Sequence, residues 1–211
     1  MIRLLGCAAA LLTLGTSLSP PPAPKSVSPR VLVINFDPTM KSEGNKPLHQ
    51  VLGFNDPHVL IEGYRTDLKE CSAGYLRYQI TEWKDVDAFP VKKDGFRYTE
   101  EEFLRNWRQK GVWHQPDAFD YKAFIRDFNL EKRVARGEID EVWVQAMPYS
   151  GMWESTMAGR GAYECNSDPV PDVDCPRIFV IMGFNYERGV GEMLEDYGHR
   201  TESIMRHVYG S

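Results

Sequence analysis

Three carboxylates and a histidine fall on one stripe of a helix-like segment near the C-terminus. At 100° per residue, Glu192, Glu195, His199 and Glu202 lie within an arc of about 80°. One imidazole and two carboxylates suit a borderline divalent cation such as zinc or manganese. Glu195, His199 and Glu202 are therefore the predicted metal ligands, with zinc, manganese or calcium as the candidate ion.

The same stripe is also typical of an ordinary solvated helix face. Opposite charges recur at i,i+4 along it, and each such pair contributes only about 0.2–0.5 kcal/mol. The pairs are Arg188/Glu192, Glu195/His199 and Glu202/Arg206. A third interpretation is a polar cleft that binds a ligand without metal, and the residues alone leave all three open.

A second group of candidate residues follows the apolar run 141–147, in the segment 148–163. Tyr149 and Trp153 offer flat rings for a sugar or peptide, and Glu154 offers a carboxylate for acid/base work. If the two candidate segments are neighbours, Glu154 faces Glu187 or Glu192, and paired carboxylates can hydrolyse glycosides. Glu154 and Glu192 are the predicted catalytic residues, although an exposed loop acid explains Glu154 equally simply.

The turn after the last apolar run holds the remaining predicted substrate contacts, Asn185, Tyr186 and Glu187. They leave the expected carboxyl end of a strand, where open α/β sheets bind ligands. Gly189 and Gly191 would allow close backbone approach or simply a tight turn into the helix. The segment lacks the GxGxxG fingerprint, which argues against a dinucleotide.

The elements that must position these residues alternate between strands and helices. Apolar or alternating runs predict strands at 31–36, 75–80, 141–147 and 178–184. Helices are expected from the Thr99 capping box to about 109, from 117 or 120 to 136, and over 188–208. Loops are expected at 37–58 and 148–177, and a hairpin at 89–98 around Asp94-Gly95. This pattern indicates an α/β fold, a mainly parallel sheet with flanking helices and a small antiparallel hairpin insertion.

The N-terminus is typical of a secretory signal peptide. Arg3, an apolar run over 4–14 and small residues at Gly15 and Ser17 predict a signal at 1–17, a proline-rich linker at 18–30 and one α/β domain at 31–211. An uncleaved anchor and a lipoprotein modified at Cys7 are the alternatives. The apolar run is too short to span a bilayer, so no transmembrane span is expected in the mature chain. A net charge of -5 argues against nucleic acid as a partner.

Cysteine spacing predicts one disulfide. Cys165 and Cys175 flank a loop rich in proline and aspartate, and an exported protein meets the oxidising conditions that such a bond needs. Cys71 is then left unpaired, or it pairs with one of those two.

Three segments, 137–143, 153–159 and 184–192, resemble those of a group of secreted bacterial proteins without an assigned function. The resemblance covers the second half of the chain. It implies an extracellular location and a parent protein that is longer than this chain, in which site residues would lie beyond Ser211. It implies no reaction.

The residues together predict an exported, hydrolase-like domain, secreted or held in the cell envelope, with or without a divalent metal. Its substrate would be an extracellular peptide or polysaccharide, with Glu154 or Glu192 as general base. The alternative is a non-catalytic extracellular domain that binds a glycan or a protein. A structural segment of a larger envelope protein is the third possibility.

Overall fold

A computed structural model describes residues 25–210. The predicted signal peptide and most of the predicted linker lie outside these residues. The strands are β1 (Arg30–Phe36), β2 (Thr39–Met40), β3 (Lys46–Pro47), β4 (Gln79–Val86), β5 (Glu141–Ala146), β6 (Ser155–Ala158) and β7 (Phe179–Asn185). The α-helices are α1 (Leu48–Leu52), α2 (Pro57–Cys71), α3 (Glu100–Gln109), α4 (Tyr121–Asp127), α5 (Leu130–Ala135) and α6 (Val190–Tyr209).

Five strands form the central sheet in the order β4-β1-β5-β7-β6. The first four run parallel, and β6 pairs antiparallel with β7 at one edge. The strands β1, β5 and β7 are almost wholly buried, as their unbroken apolar runs predict. The predicted α/β fold with a mainly parallel sheet is confirmed.

Helices cover both faces of this sheet. On one face Tyr64 of α2 packs against Trp143 and Phe184, with ring centroids 4.9 and 5.0 Å away. Helix α6 lies beside α2 on that face, so close that a Cβ on Gly63 would lie 2.8 Å from Val190. On the other face an aromatic cluster that includes Phe36, Phe119 and Phe124 packs near α4.

The strand order places a topological switch point between β1 and β5. From β1 the chain first builds β4 on one side, and it later returns to build β5 on the other side. Open α/β sheets bind ligands at the carboxyl ends of their strands, close to such a point. The segments that follow β1, β5 and β7 all leave this edge.

The predicted hairpin at 89–98 forms its turn but not its strands. Gly95 N donates to Lys92 O at 2.8 Å, yet the flanking residues do not form a ladder, and Lys92 forms a bridge with Phe119 instead. The antiparallel pairs lie elsewhere, between β2 and β3 and between β6 and β7. The prediction of an antiparallel insertion was right in kind and wrong in place, because Asp94-Gly95 encodes only the turn.

Several other boundaries differ from expectation. A strand was expected at 75–80, but β4 covers Gln79–Val86, while Val27 bridges to Leu76 ahead of it. Helix α2 was not predicted, although Asp56 caps it and Pro57 occupies its first turn. The helix expected up to 136 is broken into α4 and α5, because Asn129 adopts a left-handed conformation with φ 54°. None of the helices described here is long and apolar enough to cross a membrane.

Candidate functional site

The two predicted candidate segments meet through Glu154 and His199. Nδ1 of His199, on α6, lies 2.7 Å from Oε2 of Glu154, which directly precedes β6. Both side chains are about two-fifths exposed, 43% for His199 and 41% for Glu154. The hydrogen bond to Glu154, followed by the negative charge of Glu154, raises the pKa of His199. The result is a solvent-accessible carboxylate–imidazole pair that joins β6 to α6.

Asp196 adds a second carboxyl group to this pair. It lies one helical turn before His199, at i−3 on α6, and is half-buried. Burial first, and the negative charge of Glu154 second, raise the pKa of Asp196 to about 7. Asn166 completes the group, because its amide Nδ2 donates to Oε2 of Glu154. Two carboxyl groups with different environments are the arrangement that acid/base chemistry uses.

A buried ion pair fixes the rotation of α6 that places His199. Arg200, the next residue, donates from Nη1 and Nη2 to the two carboxylate oxygens of Glu141, at 2.8 and 2.6 Å. Glu141 also accepts from the Tyr78 hydroxyl and the Trp143 indole, at 3.1 and 3.2 Å. With Arg200 directed into the sheet, His199 is turned toward the edge strand and Glu154.

Three predicted substrate residues line one pocket at the carboxyl ends of β5 and β7. Tyr149, Trp153 and Asn185 line a cavity of about 250 Å³, together with Asp117 and the other residues of 147–152 and 183–184. Trp153 is 57% exposed and Tyr149 is 42% exposed. Since Trp153 is followed directly by Glu154, the pocket wall is continuous in the chain with the acid/base group.

The loop over 148–153, which lines the pocket, is fixed by contacts on the side away from the cavity. Lys92, only 1% exposed, donates its ammonium protons to Asp117 and to the carbonyl of Tyr149. Tyr149 itself adopts φ 59°, a left-handed conformation that costs a tyrosine free energy. At Gly151, with φ 77°, an added Cβ would lie 2.8 Å from the backbone of Ala118. Strain that the surroundings hold in place is typical of a preorganised site.

The remaining predicted site residues lie outside both features. Tyr186 is fully buried and lies 6.0 Å from the ring of Phe54, so it contributes to the core rather than to the pocket. Glu187 is exposed, and its backbone N donates to Asn185 Oδ1 at 2.9 Å. Oε2 of Glu192 accepts from the Gly189 N–H at 3.0 Å and thereby caps α6. The charge of Glu154 acts on the carboxyl group of Asp196, whose pKa it raises, whereas Glu187 and Glu192 make these other contacts.

The predicted metal ligands share one side of α6 but are only partly brought together. Glu195 and Glu202 are exposed, while Nδ1 of His199 is engaged by Glu154. Among residues 25–210, no group of three or more His, Cys, Asp or Glu side chains is arranged to hold a metal ion. The metal site on this helix stays a prediction.

A second histidine–carboxylate pair lies at the switch point. Nδ1 of His49 is 2.5 Å from Oδ2 of Asp37, the first residue after β1, and both side chains are nearly buried. Tyr186 lies close by, and burial, followed by the charge of Asp37, raises the pKa of its phenol well above the ordinary value. The signal in the sequence was the position of Asp37 after a buried strand, but nothing indicated His49 as its partner.

The predicted disulfide is not formed in the structure, where Cys165 and Cys175 are buried free thiols and Cys71 is an exposed one. Ser155, at the start of β6, donates to the carbonyl of Cys165 at 3.0 Å. Arg160, just past the end of β6, donates to the carbonyl of Cys175 at 2.7 Å. The two cysteines thus contact opposite ends of a strand, and their oxidative pairing stays a prediction.

Fold and site together define an α/β protein with an open, mostly parallel sheet, an aromatic pocket at its carboxyl edge, and a group formed by Glu154 beside β6 with His199 and Asp196 on α6. Comparisons of the chain with protein-family models, with curated proteins and with solved structures found no match.

Proposed function

We propose that this chain is an exported, hydrolase-like domain, and that Glu154, His199 and Asp196 form its acid/base group. The observation that carries the proposal is the 2.7 Å contact between Glu154 and His199, which joins two segments 45 residues apart in the sequence. The raised pKa of Asp196, about 7, supports it because a catalytic acid works best when its pKa lies near the operating pH. The proposed substrate is an extracellular peptide or polysaccharide.

Each group has a distinct proposed role. Protonated Asp196 donates a proton to the leaving group, and Glu154 accepts one from the attacking water. His199 and Asn166 hold the Glu154 carboxylate in place through their hydrogen bonds. The predicted divalent cation is retained as a variant of this proposal, with the second imidazole nitrogen of His199 and the carboxylates of Glu195 and Glu202 as donors.

The test is hydrolysis of soluble polysaccharides and of a casein-type protein by the purified chain. Hydrolysis is measured as the release of reducing ends from the polysaccharides and of free amines from the protein. Glu154→Gln and Asp196→Asn should each lower the rate by about 10²–10⁴-fold, the usual contribution of a general acid or base. Glu164→Gln is the matched control, since Glu164 lies in the loop on the other side of β6 and its ionic contact, to Arg206, spans 3.9 Å.

The pH dependence supplies a second readout. Because Asp196 must carry its proton to act as the acid, the rate should fall as pH rises above about 7. Hydrolysis that is unchanged in both variants would refute the assignment. Elemental analysis of the parent and of His199→Ala tests whether a cation belongs to the site. Stoichiometric metal in the parent alone would locate the cation on α6.

A non-catalytic binding domain is the second candidate, and the pocket favours it. Its exposed rings at Tyr149 and Trp153 can bind a glycan or a protein segment without any chemistry at Glu154. Binding that survives Glu154→Gln and His199→Ala, with no hydrolysis by the parent, would establish this function instead.

A further inference from the structure

We infer that the pocket lined by Asp117, Tyr149, Trp153 and Asn185 takes one uncharged sugar ring of a polysaccharide, and that buried Lys92 positions its walls. This inference deepens the proposed function by naming the substrate class, and as a statement about the substrate it rests on that function. Binding is nevertheless measured apart from cleavage, so that the two can fail separately.

The volume of the pocket limits the size of the ligand that it can hold. Its volume of about 250 Å³ is below the roughly 300–1,000 Å³ of sites for drug-sized ligands, so a single ring suits it. The ring of Tyr149 stacks on Trp113 at 3.8 Å with an interplanar angle of 11°, which fixes its orientation. Trp153, with 57% exposure, offers a second, accessible indole. Flat apolar rings with a polar group at hand match a sugar, which has an apolar ring face and hydroxyl groups at its edge.

The polar groups of the pocket determine which hydrogen-bonding groups a ligand must offer. Lys92 donates to Oδ1 of Asp117, while Oδ2 has no hydrogen-bond partner among the described residues. Oδ1 of Asn185 accepts from the backbone of Glu187, so its Nδ2 is left as a donor. A free acceptor and a free donor that line the same pocket can bind the hydroxyl groups of a sugar.

Charge decides between neutral and acidic sugars. The ammonium group of Lys92 is 1% exposed and is used by Asp117 and by the Tyr149 carbonyl, so a ligand cannot reach it. The carboxylate of Asp117 is 29% exposed, and its charge is balanced by the Lys92 ammonium group beside it. Among the described residues, none that lines the pocket is cationic, so the carboxylate of an acidic sugar would lose hydration without gaining an ion pair, and an acidic sugar is disfavoured.

The edge strand decides between a sugar and an extended peptide. Peptides commonly bind by adding a strand to a free sheet edge. The edge strand beside this pocket is β6. On its outer side the backbone N–H of Val170 already donates to the carbonyl of Met157, at 2.9 Å. Thr156 donates to the Asp168 carbonyl at 3.1 Å as well. The edge next to the pocket is thus covered by the protein itself.

The role of Lys92 is to position, not to touch the ligand. Its two hydrogen bonds tie Asp117 to the strained Tyr149 backbone, so both walls of the pocket depend on one buried ammonium group. Lys92→Met should therefore weaken binding of the sugar without changing which sugar is preferred.

The experiment measures binding of cellotetraose, chitotetraose, a polygalacturonate oligomer and an extended decapeptide to the full chain, by calorimetry and by quenching of tryptophan fluorescence. We expect one of the two neutral oligosaccharides to bind, and the acidic oligomer and the peptide not to bind. Asp117→Ala should weaken that binding about 10- to 100-fold, since it removes hydrogen bonds to a charged acceptor. Trp153→Ala should abolish the fluorescence change and weaken binding, whereas Trp153→Phe should retain part of the affinity.

Matched controls keep the outcome interpretable. Asp172→Asn removes an exposed carboxylate outside this pocket, beside Lys122, and should leave binding unchanged. Glu154→Gln should also bind normally while losing hydrolysis. Near-ultraviolet circular dichroism checks that Lys92→Met and Asp117→Ala are folded, and Asp117→Asn, which retains an oxygen acceptor, provides a milder variant if Asp117→Ala is not.

The outcomes separate the two proposals. Neutral sugar binding without hydrolysis by the parent would leave this inference standing and overturn the hydrolase. Hydrolysis of a peptide at Glu154, or binding of the acidic oligomer or the peptide in the pocket, would overturn the inference and leave the hydrolase standing. Sugar binding that is indifferent to Asp117→Ala, or no binding of either neutral oligosaccharide, would also overturn the inference.

Discussion

The buried pair of Arg200 and Glu141 gives the most quantitative prediction, because it fixes α6 and thereby His199. Only 10% of the Arg200 side chain and 9% of the Glu141 side chain are exposed. Arg200→Met removes two charge-assisted hydrogen bonds and leaves a carboxylate buried without its counter-ion. Removing one partner of such a pair costs about 3–5 kcal/mol. That is a large share of the roughly 5–15 kcal/mol by which domains are stable.

The assay is urea unfolding of the full chain, monitored by circular dichroism and by tryptophan fluorescence. The matched control is Arg206→Met, on the same helix, because the Arg206–Glu164 pair spans 3.9 Å and both side chains are more than half exposed. An exposed pair of this kind contributes at most about 1 kcal/mol. The free energy of unfolding should therefore fall several times further in Arg200→Met than in Arg206→Met.

A double variant tests the physical reason. Glu141→Leu together with Arg200→Met removes both charges, which by itself is often harmless. Here the Tyr78 hydroxyl and the Trp143 indole lose their shared acceptor, and an unsatisfied buried donor costs about 1–3 kcal/mol. The double variant should thus remain less stable than the parent.

The reasoning would be refuted by either of two results. Equal losses of stability in Arg200→Met and Arg206→Met would mean that the Glu141 pair is not the anchor of α6. A raised pKa of His199 that persists in folded Arg200→Met would mean that the anchor does not position the imidazole against Glu154.

Three further predictions follow from the site and the pocket loop. Glu154→Gln removes the negative charge and leaves at most a neutral hydrogen bond to His199, so an NMR titration should show the pKa of His199 falling; no change would contradict the pairing. Asp196 has its pKa raised from 3.8 to about 7, so the folded state binds more protons than the unfolded state between these values. The free energy of unfolding should fall as pH rises through that window, by at most about 1.4 kcal/mol per pH unit, and Asp196→Asn should remove this fall; a variant with the parent's pH profile would argue against it. Gly151→Ala should lower the free energy of unfolding by about 1 kcal/mol or more, because φ is 77° and the added Cβ would lie 2.8 Å from neighbouring backbone. Gly198→Ala, where nothing lies within 4 Å, should be neutral or stabilising, and equal effects of the two would count against strain in the loop.

Local sequence patterns were sufficient wherever one residue type decides the backbone. The capping box of Thr99 and Glu102 was readable in the sequence and starts α3 where expected. The apolar runs at 31–36 and 141–147 became buried parallel strands, because only a sheet covered on both faces buries such runs. Helix α6 extends over nearly the predicted range.

Patterns failed where a distant contact overrides the local preference. The 148–177 segment was expected to be a loop, yet Ser155–Ala158 forms β6, because the edge of β7 supplies its hydrogen bonds. Helix α2 was missed because its residues are on average polar. Its apolar residues nevertheless face the core, namely Leu60, Ile61, Tyr64 and Leu68.

The site divides in the same way. Glu154 and His199 were recognisable as candidates before the fold was known, because each carries acid/base chemistry within a segment that leaves a strand. The aromatic pocket residues Tyr149 and Trp153 were recognisable in the same way. That Glu154 pairs with His199 rather than with Glu187 or Glu192 follows from the fold, because the antiparallel pairing of β6 places the Glu154 carboxylate beside α6.

Lys92 and Asp117 show the limit most clearly. Nothing near Lys92 in the chain distinguishes it from the exposed Lys93 that follows it, yet one is fully buried behind the pocket and the other is in solvent. The physical reason is that burial of a charge depends on a partner distant in sequence. Asp117 lies 25 residues away, and only the packing of the 148–153 loop over both residues brings the two charges together.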